Sequence, residues 1–251
     1  DLGGGSTQLS YVDMPVSGVL GASTGLRRAR ERAFSRSHLG FGNRAALARV
    51  EATLRAPSDS RHEHAQPCFF RGYSYAGTDG ARFVGSSDPR RCAELIGELF
   101  LPDATPRFER GRPPPMGVAF YGMSAFFFIV NYLSFMKVLP GMPSPTLGAI
   151  REAAEALCAM PWTEVSAGPI DPYTTAEKLP MRCFDALYVV GLLEHGYGFA
   201  PGNNQVHFVE KLGNGAPDWP LGAALIAAAA AAPGDEEAPR AGIRKGLLLS
   251  A

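Results

Sequence analysis

The chain has 251 residues, 46% apolar and 19% charged, enough to bury a sizeable core and too apolar for a disordered segment. Its 24 Lys and Arg balance 24 Asp and Glu, so the basic excess or stripe that a nucleic-acid binder needs is missing. Frequent Gly (29) and Pro (21) predict many turns and a mixed α/β architecture rather than a helical bundle.

The first residue is Asp1, with neither Met nor a leader segment, as in a fragment or a processed product. Gly3-Gly4-Gly5 followed by residues 7–12 reads as a glycine turn entering a strand, with another strand expected before the turn. Residues 27–36 are basic and helix-compatible, and a solvated helix face suits them better than a polyphosphate contact. Residues 43–54 have amphipathic helical spacing, with Leu47, Val50 and Leu54 on one face. Residues 56–66 are polar and loop-like, and Cys68-Phe69-Phe70 before Arg71-Gly72-Tyr73 reads as a short strand and turn. After the Gly/Ser/Asp-rich stretch 77–88, residues 92–100 have helical spacing through Leu95, Ile96 and Leu99.

Residues 118–135 carry no charge and match a membrane span in length. Gly122, Ser124, Asn131 and Ser134 interrupt the run and three prolines precede it, so a buried strand (117–121) turning into a buried helix (124–133) explains it better. Residues 144–159 form a helix capped by Ser144, with Leu147, Ile150, Ala154 and Leu157 on the apolar face. Residues 182–195 form another, with Leu187, Val190 and Leu193 inward and Gly196 as the stop. The alanine-rich run 223–232 reads as a helix ended near Pro233-Gly234, too short to span a membrane. Beyond Asp235 the tail is expected to be loosely ordered.

Chemistry concentrates at the start. Three adjacent glycines let backbone N–H groups turn inward into a concavity that suits a phosphate, and Ser6 and Thr7 add hydroxyl donors. Asp1 offers a carboxylate for a divalent cation bridging phosphate oxygens through water. Gln8 is a neutral amide able to orient an attacking water. Elsewhere, His62-Glu63-His64 sits in a Ser/Arg/Asp-rich loop and reads as solvated rather than metal-binding. Cys68, Cys92, Cys158 and Cys183 allow three pairings and have no zinc-knuckle spacing.

Asp1-Leu2-Gly3-Gly4-Gly5-Ser6-Thr7-Gln8 resembles, at every position, the fourth motif D-L-G-G-(A/G)-S-T-Q of the apyrases, the nucleoside triphosphate and diphosphate hydrolases. Further similarities follow in order. Ser37-His38-Leu39-Gly40-Phe41-Gly42 is similar to S-x-L-x-(Y/F)-G, and Pro67-Cys68 with Arg71-Gly72-Tyr73 to P-C-x-x-(R/K)-G-Y. Residues 120–133 resemble the family's aromatic segment, with departures at Gly122, Met123 and Phe128. Cys183-Phe184 through Gly196-Tyr197-Gly198-Phe199 resembles another conserved block, and Trp219-Pro220-Leu221-Gly222 the fifth motif.

The resemblance implies an α/β, actin-like (ribonuclease H-like) lobe, with a mixed sheet flanked by helices. Residues 1–209 would be the C-terminal lobe, and residues 210–251, with Trp219, would return to pack on an N-terminal lobe of the same polypeptide. It implies a nucleoside di- or triphosphate substrate and Ca2+ or Mg2+ held by Asp1 through water. Gly3, Gly4, Gly5, Ser6 and Thr7 would bind phosphate, Gln8 and Ser6 would be catalytic, and Phe128 would stack on the nucleobase. It pairs Cys68 with Cys92 and Cys158 with Cys183, and so implies a lumenal or extracellular setting: Golgi lumen, secreted or cell surface.

The family's first phosphate loop and its glutamate base have no match here, and Glu31, Glu51 and Glu63 lie in the wrong setting to replace that base. The chain alone is therefore expected to be inactive. The rivals are an exopolyphosphatase of the same superfamily, whose loop reads D-x-G-G-G-S-x-E, and a non-hydrolytic nucleotide-binding actin-like protein.

Overall fold

Strand β1 (Ser6–Val12) pairs with β2 (Ala33–Leu39), and helix α1 (Asn43–Leu54) follows directly. The structure is a computed structural model that describes residues 1–12, 33–55, 63–77 and 80–211. The readings of residues 27–32, His62, the alanine-rich run, Trp219 and the returning segment from residue 212 onward lie outside the described residues.

A second sheet has the order β3-β5-β4, from β3 (Glu63–Gln66), β4 (Ser74–Ala76) and β5 (Arg82–Gly85), with β3 parallel and β4 antiparallel to β5. β6 (Phe120–Gly122) runs parallel to β7 (Val206–Phe208). The remaining helices are α2 (Pro89–Glu98), α3 (Ala125–Phe135), α4 (Leu147–Ala159), the short α5 (Trp162–Ser166) and α6 (Arg182–Gly191). Every residue of α6 is buried, and α6 packs against α4, α2, α3 and α1, so it is the central rod of the core.

Two disulfides fasten this rod and its neighbours. Cys68–Cys92 ties the turn after β3 to α2, and Cys158–Cys183 joins the end of α4 to the start of α6, each with Cα atoms 4.9 Å apart. These are the pairings that the family resemblance implies.

Several boundaries differ from the sequence reading, each for a local reason. Residues 33–36 belong to β2 rather than to a helix, because Phe34 stacks on Tyr11 of β1 (centroids 4.8 Å apart) and Ser35 bonds Ser10. β3 lies inside the stretch read as a polar loop. Its inward residues are His64 and Gln66, and Gln66 is tolerated there because its amide bonds the Cys68 N–H and the Tyr75 hydroxyl. His64 is therefore buried beside Phe83 rather than solvated.

Phe69 and Phe70 fill a buried turn instead of a strand, and β5 crosses the Gly/Ser/Asp-rich stretch. α2 starts earlier than expected because Asp88 accepts from the Arg91 N–H (3.0 Å) ahead of Pro89. The cap of α4 is Thr146, which accepts from the Ala149 N–H (3.1 Å), whereas Ser144 bonds Nδ1 of His207. The uncharged run 118–135 resolves into β6 and the eleven-residue α3, and no helix among the described residues is long and apolar enough to cross a membrane.

Two outcomes are expected. Each disulfide closes a loop of similar length, with sequence separations of 24 and 25 residues, so reducing either one costs ~2–4 kcal/mol. Thermal unfolding of the Cys92→Ala and Cys158→Ala variants should show comparable losses. Separately, the His38 ring lies flat on Phe108, with centroids 3.9 Å apart. Burial, helped by Arg36 and opposed by Glu109, lowers its pKa from 6.5. Above 6.5 both the folded and the unfolded ring are neutral; below it the unfolded ring takes up a proton that the fold resists. Stability should fall as the pH drops through that window, and urea unfolding of His38→Phe should show a shallower fall.

Candidate functional site

The glycine loop is a tight hairpin clamped from behind by a helix. The Asp1 nitrogen and the Gln8 carbonyl bond at 2.9 Å, the Gln8 N–H returns to the Asp1 carbonyl at 2.9 Å, and the Gly3 N–H donates to the Ser6 carbonyl at 3.0 Å. The next three carbonyls turn outward. Gly3 O accepts from the Asn43 N–H (3.1 Å), Gly4 O from the Ala45 N–H (3.0 Å) and Gly5 O from the Gly40 N–H (2.8 Å).

α1 has no side-chain cap, so the loop carbonyls satisfy its first-turn donors. With the Gly3 and Gly4 carbonyls on α1 and the Gly5 carbonyl on Gly40, the Gly4 and Gly5 N–H groups are left without an acceptor among the described residues. Amides presented in this way form an anion-binding concavity.

Gly42 makes the clamp possible. A Cβ there would lie 2.3 Å from the Gly4 carbonyl carbon and 2.5 Å from Gly3 O, so no other residue permits this approach. The sequence reading found Gly42 as part of a motif but assigned it no role.

Ser6 and Gln8 are linked. Gln8 Nε2 donates to Ser6 Oγ (2.8 Å) and to Ser37 Oγ on β2 (3.2 Å). Two hydroxyls thus hold the amide nitrogen, which leaves Oε1 to accept and the Ser6 hydroxyl proton to donate. Ser37 is a supporting residue that only the β1–β2 pairing reveals. Thr7 is different. Its side chain is fully buried, its Oγ1 bonds the Asp1 carbonyl (2.8 Å) and the Tyr197 hydroxyl (2.8 Å), and so it gives no hydroxyl to a phosphate. Strand alternation sends residue 7 to the core and residues 6 and 8 to the other face.

Gly3 and Gly4 open on a polar cavity of about 230 Å³ that Phe128 also lines. Phe128 is half-buried and stacks on Tyr173, with centroids 5.4 Å apart at 27°. The same cavity is lined by three cations that the sequence reading did not single out for this site, Arg44, Lys178 and Arg182. Arg182 pairs with Asp185 at 3.3 Å, and both side chains are only 3% exposed.

Burial pushes the Asp185 carboxyl upward, against the pull of Arg182 and the Asn43 hydrogen bond, and burial pulls the Arg182 guanidinium downward. The i, i+3 placement of this pair in an otherwise apolar helix is a signal that a closer reading of α6 could have used.

Asp1 and Gln8 border another space, an apolar groove of about 390 Å³ between β1 and β6 that also includes Tyr11 and Phe120. Gly3, Gly4 and Phe128 thus line one space and Asp1 and Gln8 the other, while Gly5, Ser6 and Thr7 line neither of the two. Among the described residues no three His, Cys, Asp or Glu side chains cluster as a metal cage. Asp1 is an exposed single carboxylate, a donor that fits a hard divalent cation keeping most of its waters.

Comparison with known proteins identifies the family. A family model described as GDA1/CD39 (nucleoside phosphatase) matches residues 1–233. Ectonucleoside triphosphate diphosphohydrolase 2 of Rattus norvegicus is 28% identical over 251 residues, covering 88% of this chain and 48% of the relative. Ectonucleoside triphosphate diphosphohydrolase 1 of the same organism is 26% identical over 252 residues, with the same shares. The chain therefore spans about half the length of the curated relatives it matches. A crystal structure of nucleoside triphosphate hydrolases from Neospora caninum aligns with a TM-score of 0.59 at 14% identity, covering 90% of this chain and 56% of that one. That likeness bears on fold alone: a mixed α/β, actin-like fold.

The clamp predicts a sharp contrast between two glycines. Gly42→Ala should cost ~1–3 kcal/mol by forcing the loop off α1. Gly97→Ala, where a Cβ in α2 would meet nothing within 4 Å, should be neutral or slightly stabilising. Urea denaturation of the two variants measures the difference.

Proposed function

The chain belongs to the GDA1/CD39 (nucleoside phosphatase) family, and from that premise we propose that it forms one lobe of a divalent-cation-dependent hydrolase. The substrates are nucleoside di- and triphosphates, and inorganic phosphate is released by direct attack of water.

The observation that carries this reading is the glycine loop, whose Gly3 and Gly4 carbonyls are tied to α1 and Gly5 carbonyl to Gly40, while the Gly4 and Gly5 amides are left to bind a terminal phosphate. The amides need not reorganise as charge develops on the phosphoryl oxygens, which is where such donors lower a barrier. Ser6 adds a hydroxyl. Gln8, with Nε2 held by Ser6 and Ser37, offers Oε1 to a water and orients it for in-line attack. Asp1 would hold a Ca2+ or Mg2+ ion through water. Such an ion, when bound, neutralises phosphate charge.

Phe128 lines the polar cavity beside the loop with an aromatic face suited to a nucleobase, and Arg44 and Lys178 supply positive charge there. Position 8 is Gln rather than the Glu of the polyphosphatase loop, which favours this reading, and its Nε2 donates to Ser6 and Ser37.

The loop carries one carboxylate, Asp1, and its assignment to the metal leaves none there to act as general base. The proposal therefore assigns the base, and a second phosphate loop, to an N-terminal lobe of the same polypeptide. The disulfides support a lumenal or extracellular setting, in the Golgi lumen, secreted or at the cell surface.

Phosphate release from ADP and ATP tests the reading. A polypeptide that joins this chain to a family N-terminal lobe should hydrolyse both, and chelation of divalent cations should abolish the activity. Gln8→Ala in that protein should lower kcat roughly a hundredfold with a much smaller change in KM. The 251-residue chain alone should release none, and steady release from it would overturn the single-lobe assignment.

A further inference from the structure

Beneath the polar cavity runs a buried chain of polar contacts that the hydrolytic reading does not use. Asp185, in the first turn of α6, is 2% exposed. One carboxylate oxygen accepts from Asn43 Nδ2 at 2.9 Å and the other from Arg182 Nη1 at 3.3 Å. Arg182 is itself anchored: its Nε and Nη2 donate to Thr174 Oγ1 at 3.1 and 2.8 Å, and its guanidinium lies over the Tyr132 ring. Asn43 is the residue whose backbone N–H holds Gly3 O, two positions before the N–H that holds Gly4 O. Asp185 is therefore the joint between the central rod of the core and the turn of α1 that clamps the glycine loop.

We propose that Asp185 is a positioning residue for the phosphate loop, and that Arg182 shields the bound anion from its charge. The first part follows from geometry. Rotation of the α1 first turn would carry Asn43 and Ala45 away from the loop carbonyls, and the Asp185–Asn43 bond to a fully buried helix opposes it. The second follows from charge. Asp185 lines the cavity next to Gly3 and Gly4, where a lone carboxylate would repel a phosphate. The Arg182 guanidinium, with Arg44 farther off, offsets it at a site where the paired side chains are only 3% exposed, which makes the pair costly to break from either side. Only the identity of the anion rests on the nucleotide-hydrolase reading; the positioning role stands on the bonds alone.

The test uses the 251-residue chain, uniformly labelled with 15N and titrated with inorganic phosphate and with ADP. The amide shifts of Gly4 and Gly5 are followed as ligand is added. Asp185→Asn keeps an oxygen acceptor for Asn43 but removes the charge, leaving Arg182 with only the buried Asp171 behind Thr174 as a counter-charge, and should tighten anion binding several-fold. Arg182→Met should weaken it by a similar factor, and the double variant should return close to wild type. A purely structural role would weaken binding in both single variants, and that result would overturn the shielding role.

Positioning is read by hydrogen exchange. Asp185→Leu and Asn43→Ala should each speed exchange of the backbone amides at positions 43 and 45 about tenfold while the α4 amides stay protected. Exchange unchanged in the folded Asn43→Ala protein would overturn the positioning role. If neither ligand moves the Gly4 and Gly5 signals of the wild-type chain, the phosphate-loop assignment and the shielding role fail together, and the exchange result still decides the positioning role.

Discussion

The close approach of the first turn of α1 to the glycine loop is the contact on which the site depends. A Cβ at Gly42 would collide with the Gly3 and Gly4 backbone, and without it the loop carbonyls take the place of a side-chain cap for the helix. One exchange of hydrogen bonds meets two needs at once. The helix loses its orphan donors, and the loop has its carbonyls tied back while the Gly4 and Gly5 amides keep no acceptor among the described residues. A phosphate site made in this way is preorganised by backbone geometry, so its specificity for an anion does not depend on flexible side chains.

That contact is held in place by the core. α6 is buried on all sides, which a helix achieves only when its neighbours cover every face, and its polar residues must then find partners inside the protein. Arg182 and Asp185 find each other, and their spare hydrogen-bonding capacity reaches outward to Thr174 and to Asn43. The pair is therefore less a source of net stability than a way of fixing where α1 sits relative to α6. The Cys158–Cys183 disulfide anchors the same end of α6, so the part of the rod beneath the site is also the part most constrained covalently.

Strand alternation sorts the loop residues by task. Ser6 and Gln8 share a face and bond each other, while Thr7 between them turns into the core and locks onto Tyr197. A run of polar residues that looks uniform along the chain is thus divided into a reactive face and a structural one. Polar residues caused most of the differences between the expected and observed elements. β3 was hidden because its inward positions are His64 and Gln66, and the cap of α4 was misplaced because Ser144 and Thr146 are equally good candidates until His207 claims the first.

Much of this protein is determined by local sequence. The glycine loop, the span of α1, the apolar faces of α4 and α6 and the strand-to-helix reading of the uncharged run all follow from turn chemistry and periodicity, which act over a few residues. So does the ordered set of motifs that marks the family. Tertiary structure alone decided that Thr7 faces inward, that Ser37 steadies Gln8, that Gly42 lies against Gly4, and that Arg44, Lys178 and Arg182 share a cavity with Phe128. Each of these joins segments distant in the chain, and no short-range pattern carries the distance between them.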